Sequence, residues 1–156
     1  MKKNLGIFAA IALSVAVIDQ AAKAVIAGRF AYSESVPVIR GVFNLVYYGN
    51  PGAAFSILAS GGALRTVFLA GASIAALVII GFMARQAASL LQNLSLALIA
   101  GGAVGNLIDR VRLGYVVDFL DFQAGAYHWP AFNAADTAIT VGVGLAVYSY
   151  YLRPGR

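Results

Sequence analysis

Cysteine is absent and histidine occurs once, at His128. Disulfides, thiolate metal sites and a cysteine nucleophile are therefore excluded, as is any metal site built from several histidines. Charge is also scarce. Charged residues make up 11% of the 156 positions, where soluble domains carry roughly a quarter. The eleven lysines and arginines give a formal net charge of +5, but they are scattered, with no basic stripe interleaved with aromatics, so nucleic acid is not the indicated partner. What remains is apolar: 61% of the residues are hydrophobic and the mean hydropathy is +0.82. The composition is that of a chain solvated by lipid, with its basic residues in loops that face anionic headgroups.

Four segments, 5–27, 64–83, 88–108 and 134–152, have the length and apolarity needed to cross about 30 Å of hydrocarbon. The predicted fold is an all-α integral membrane protein: a single domain, 1–156, built as a four-transmembrane-helix bundle, with a small extramembrane β-sheet from 28–63 and an interfacial loop at 109–133. The first segment imitates a secretory signal, with Lys2 and Lys3 before an apolar run and Ala22-Lys23-Ala24 as a small-residue site. The run is long for such a signal and Asp19 interrupts it, so it reads as an uncleaved anchor. The third segment carries Ser89, Gln92, Asn93 and Ser95, but Ala97, Gly101 and Gly105 recur every four residues, a stripe that permits close helix approach in lipid. Four spans place both termini on one side, and the density of basic residues in the short terminal segments, Lys2, Lys3, Arg153 and Arg156, makes that side cytoplasmic.

Outside the spans, 36–48 is rich in β-branched and aromatic residues, with Phe43, Leu45 and Tyr47 alternating against Val42, Asn44 and Val46, and reads as strand. The stretch 109–133 holds Tyr115, Tyr127, His128, Trp129 and Pro130, an aromatic set suited to the membrane interface.

Acidic residues carry most of the information. Of the six, five lie in or near the apolar spans: Asp19, Asp109, Asp118, Asp121 and Asp136. A carboxylate in hydrocarbon costs about 2.5 to 3.5 kcal/mol on insertion scales, so each requires a partner, a wet cavity or a function. Asp118 precedes the fourth span and Asp136 lies in its first turn, which puts both at the outer end of the bundle. Two such carboxyls share one proton: the ionised one takes a proton from water while the protonated one polarises a scissile carbonyl. Taken singly, Asp136 also reads as a helix cap and Asp118 as a solvated loop residue. Their company favours chemistry. Asn106, Asp109 and Arg110 share one face of the third span, and Asn133 lies one turn before Asp136. Asp109 is expected to pair with Arg110 or Arg112. Asn50 and Gly52, with Ala53 and Ala54 behind them, either hold an amide and a close backbone against a peptide or form a plain turn.

Five boxes, Asp19-Gln20 with Lys23, Asn50-Pro51-Gly52-Ala53-Ala54-Phe55-Ser56, Gly101 to Asn106 followed by Asp109-Arg110, Val117-Asp118-Phe119, and Phe132-Asn133-Ala134-Ala135-Asp136, occur in register over nearly the whole chain. Together they resemble the bacterial lipoprotein signal peptidases, signal peptidase II. The resemblance implies an aspartyl endopeptidase of the bacterial inner (cytoplasmic) membrane, multi-pass, with its active site near the periplasmic leaflet and its β-segment and loop on that side. It would remove the signal peptide of a prolipoprotein just before a diacylglyceryl-modified cysteine, and it would need no metal or other cofactor. It makes Asp118 and Asp136 the catalytic pair, and Asn50, Gly52, Asn106, Arg110, Asn133, Asp19, Lys23 and Asp109 the supporting or substrate-binding residues. Membrane lipids, the inhibitor globomycin and a monomeric state complete the expectation. Pro51 departs from the family pattern, where a threonine or similar residue is expected, and removes one backbone donor. The stripe at Ala97, Gly101 and Gly105 would leave room for the incoming peptide, with the strand cradling it and the aromatic loop closing over it. The alternative is a small proton-coupled transporter or channel subunit using Asp19, Asp109, Asp118 and Asp136 as a relay. A metal-dependent lipid-phosphate transferase is a third reading.

Overall fold

The computed structural model describes residues 2–52 and 62–152. Ala53, Ala54, Phe55 and Ser56, and the terminal Arg153 and Arg156, lie outside them. Helix α1 (Lys2–Arg29) is followed by strands β1 (Ser35–Ile39) and β2 (Phe43–Asn50), helices α2 (Gly62–Gln86) and α3 (Leu90–Leu113), strands β3 (Val116–Ala124) and β4 (Tyr127–His128), and helix α4 (Ala134–Val147), which runs on into a π-helical turn, Tyr148–Leu152. Helices α1, α2 and α3 are each long and apolar enough to cross a membrane.

Helix α3 is the centre of the bundle and packs against α1, α2 and α4. That explains how the most polar of these helices sits among apolar ones: Asn93, Ser95, Asn106 and Asp109 are buried inside the protein and turned away from lipid. A capping box starts it, with Ser89 accepting from the Gln92 amide while the Gln92 side chain accepts from the Ser89 amide. Gly114 ends it in the left-handed conformation, φ 80°. The stripe of small residues is filled and offers no path for a substrate. A Cβ on Gly101 would lie 2.6 Å from Ala12 O, one on Gly105 would lie 2.5 Å from Asp19 Oδ2, and Ala97 is fully buried. Helix α1 occupies this face because no larger side chain holds the backbones apart.

The sheet is larger than the sequence suggests. Its four strands run in the order β1-β2-β3-β4 and all pairs are antiparallel. The segment 109–133, expected to be a loop, is instead the last turn of α3, two strands and a connection. Val116, Val117, Asp118 and Phe119 are consecutively buried, so β3 lacks the alternation that marks a half-exposed strand. Leu45 pairs with Leu120 and Tyr48 with Asp118, so β2 carries one extra residue opposite Phe119. This bulge bends the sheet next to Asp118.

Candidate active site

Lys23 is the starting point. Its ammonium group, almost completely buried, lies 2.8 Å from Asp19 Oδ2 and 2.8 Å from Asp109 Oδ2, and donates to Asn106 Oδ1 at 3.0 Å. Asp109 thus pairs with Lys23 across the α1–α3 interface, and the pairing expected with Arg110 or Arg112 is corrected. Helical geometry turns Asp109 inward with Asn106 while Arg112 stays exposed, and the Arg110 guanidinium reaches the Asn106 carbonyl at 3.5 Å. Gln20 braces the same cluster, donating to Asp109 Oδ1 at 2.8 Å and to the Gly105 carbonyl at 3.1 Å. Asp109 also accepts from the Val117 amide at 3.0 Å, which fixes the start of β3, and Asp19 accepts from the Ala135 amide at 2.9 Å, which fixes the start of α4. One buried charge cluster therefore positions both elements that carry the two aspartates.

An ammonium group only donates, so Asn106 must turn its oxygen to Lys23 and its NH2 the other way. That NH2 donates to Asp136 Oδ1 at 2.7 Å. Asn133 caps α4: its Oδ1 accepts from the Asp136 amide at 2.9 Å, so its NH2 must face outward, where it donates to Asp118 Oδ1 at 2.7 Å. Asn50 obeys the same logic. Its Oδ1 accepts from the Gly52 amide at 2.9 Å, an Asx turn that does not use the amide Pro51 lacks, and its NH2 donates to Asp118 Oδ2 at 2.9 Å. Gly52 has φ 89°, and a Cβ there would lie 2.5 Å from Leu69 Cδ1, so the turn requires glycine. Three amides, each oriented by a group that can only donate, thus point their NH2 groups at the two carboxylates. Asp136 is not the cap of α4; Asn133 is. Asp118 is not a solvated loop residue: it lies in β3 and is 2% exposed.

Burial pushes the Asp118 carboxyl up to about 6, and the charge of Asp136 adds to the rise, while the hydrogen bonds from Asn50 and Asn133 and the charge of Lys23 oppose it. Beside Asp136 opens a cavity of about 300 Å³, lined by Trp129, Phe132, Thr137, Thr140 and Val141. Two carboxyls in a shared amide frame, one holding its proton toward neutral pH, next to an apolar groove, can activate water against a bound carbonyl.

Residues 11–152 match the family model described as signal peptidase (SPase) II. The chain belongs to the signal peptidase II family. It is a bacterial membrane peptidase. It is 46% identical over 146 residues to the lipoprotein signal peptidase of Syntrophus aciditrophicus, covering 92% of this chain and 91% of that one. The protein of the same name from Desulforapulum autotrophicum is 51% identical over 134 residues, covering 84% and 83%. A bacterial membrane enzyme solved by the in meso method at 1.9 Å superposes with a TM-score of 0.84 at 34% identity, covering 95% of this chain and 94% of that one.

The signal peptidase II reading and the transporter alternative divide on how the polar groups are spread. Asp19, Lys23, Asn106, Asp109, Asn133 and Asp136 close on one another at one end of the bundle and form no file through its depth. Among the described residues, no three histidine, aspartate or glutamate side chains are grouped to hold a metal ion. Sequence reading missed the groove wall. Thr137, Thr140 and Val141 follow Asp136 along one face of α4, a spacing that had signalled only a membrane helix.

Proposed function

We propose that Asp118 and Asp136 are the catalytic pair of a peptidase that removes signal peptides from prolipoproteins, cutting just before a diacylglyceryl-modified cysteine. The observation that carries the proposal is the frame of three obligately oriented amides around two carboxyls beside an apolar groove. The names of the relatives support the substrate.

Asp118, whose carboxyl burial pushes up to about 6, is the proton donor, and Asp136, which lines the groove, is the base. Asp136 takes a proton from water as the water oxygen bonds to the scissile carbonyl carbon. Asp118 gives its proton to the carbonyl oxygen. Collapse of the tetrahedral adduct returns that proton to Asp118, while Asp136 delivers its proton to the departing amine of the cysteine. The groove receives the apolar part of the substrate next to the scissile bond. Asn50, Gly52, Asn106, Arg110, Asn133, Asp19, Lys23 and Asp109 support the pair.

In the membrane, α4 with its π-helical turn forms a fourth span within the single domain, both termini are cytoplasmic, and the sheet and the carboxyl pair lie at the periplasmic leaflet of the inner membrane. This depth suits a lipid-anchored cysteine, which holds its peptide bond at the surface. The same cleft would bind globomycin. The protein works as a monomer among membrane lipids.

The test is cleavage of a diacylglyceryl-modified prolipoprotein peptide by purified protein in detergent with excess chelator. Wild type is expected to cleave, and Asp118→Asn and Asp136→Asn to lose at least about 10³-fold, the scale for losing an acid–base group. Cleavage at the wild-type rate by either variant would remove that carboxyl from the mechanism.

A further inference from the structure

Asp121 takes no part in the site above, yet it is buried at 4% exposure and lies three residues beyond Asp118 on β3. Its carboxylate accepts from Asn44 Nδ2 at 2.7 Å and meets His128 Nδ1 at 2.9 and 3.0 Å. Asn44 and Asp121 are direct cross-strand partners, so the three side chains form a polar line across β2, β3 and β4. The imidazole is half exposed, and the carboxylate offers it only acceptors, so Nδ1 carries the proton.

The other face of the sheet carries a second line. Phe43 and Phe122, also cross-strand partners, have ring centroids 4.8 Å apart, and Phe122 stacks on Phe132 at 5.9 Å. Main-chain bonds complete the fastening: Trp129 donates to the Phe122 carbonyl at 2.8 Å, and Phe132 exchanges bonds with Leu120. Trp129 follows His128 directly beyond β4, and its main-chain bond sets it opposite Phe122, so with His128 held against Asp121 the Trp129 side chain falls on the Phe122 side of the sheet. There it lines the groove with Phe132 and Asp136. The sheet thus reaches the groove through the residue that follows its last strand.

We propose that Asn44, Asp121 and His128 are positioning residues: they fix β4 so that Trp129 stands as one wall of the substrate groove. The proposal rests on the reading of that groove as the substrate site. Because Trp129 is the single tryptophan of the chain, its emission reports the wall directly, without substrate.

The experiment compares His128→Ala, His128→Asn and His128→Gln in detergent. Asparagine places a donor near the position of Nδ1 and glutamine does not. His128→Ala is expected to shift Trp129 emission and its acrylamide quenching without substrate, and to raise KM about 10-fold with kcat within about 3-fold, the scale of one lost charge-assisted hydrogen bond. His128→Asn restores both readouts and His128→Gln does not. Unchanged emission and KM in His128→Ala would overturn the proposal, and so would a fall in kcat at constant KM, which would put His128 in the chemistry. If the alanine variant does not fold, equal emission and KM in the asparagine and glutamine variants overturn it. Loss of the catalytic reading shows separately, as Asp118→Asn that still cleaves.

Discussion

The Asn133 amide donates to the Asp118 carboxylate at 2.7 Å, fifteen residues away in sequence, while its oxygen caps the helix that carries Asp136. One side chain thereby sets the start of α4 and the hydrogen bonding of a carboxylate on β3. Neighbouring Asn106, 3.3 Å from the Asn133 NH2, joins this pair to Lys23.

Asn133→Ser separates the two tasks, because serine caps as well as asparagine but has no NH2. Unfolding in detergent is expected to stay within about 1 kcal/mol of wild type. Cleavage should fall by about 10 to 100-fold, the scale of a hydrogen bond to a charged group. Stability measured by denaturant alongside kcat/KM checks both.

Asn50→Ala removes a hydrogen bond that favours the ionised form of Asp118, so its pKa rises above about 6. With Asp118 as the proton donor, kcat/KM declines as pH rises through that value. The alkaline limb should therefore move to higher pH in Asn50→Ala, and a limb moving to lower pH would reverse the assignment of acid and base. Stability obeys the same sign. Folding raises this pKa above the ordinary 3.8, so its stabilising contribution is full below 3.8 and is lost as pH rises through about 6.

Lys23→Met leaves Asp19 and Asp109 buried without their shared cation. Removing one partner of a buried ion pair costs about 3 to 5 kcal/mol. Asn106 is also freed to flip, so cleavage should drop more than stability alone predicts. Lys23→Arg is expected not to rescue, since the pocket around the ammonium group is closed by Asp19, Asp109 and Asn106. Chemical unfolding and cleavage at matched folded fraction separate these effects.

Gly102→Ala forces a Cβ into the Ala135 carbonyl and within 2.7 Å of Ile139 Cγ1. Backbone cannot step aside cheaply, and overpacking of this kind costs about 1 to 3 kcal/mol. Because Ala135 lies beside Asp136, cleavage should fall as well. Gly71→Ala, with open space at the Cβ position, serves as the control and should leave both unchanged.

The amino-acid sequence by itself determined the solvent and the layout: apolar stretches of spanning length, strand character at 36–48, which the fold breaks at 40–42 into the hairpin of β1 and β2, and acids too few and too costly in hydrocarbon to be idle. These follow from local composition, which a window along the chain can read. Asp118, Asp136, Asn106 and Asn133 were legible for the same reason, as polar residues where none is comfortable. Tertiary structure decided the rest. Asp109 took Lys23 as its partner across two helices, the glycine stripe was filled by α1, 109–133 became the last turn of α3 and two strands, and Asp121 found Asn44 and His128 across three strands. Each is a choice among partners far apart in sequence, set by which backbones approach closely enough to bury them. A buried amide or carboxylate declares that it needs a partner, and only the packed chain says which one it receives.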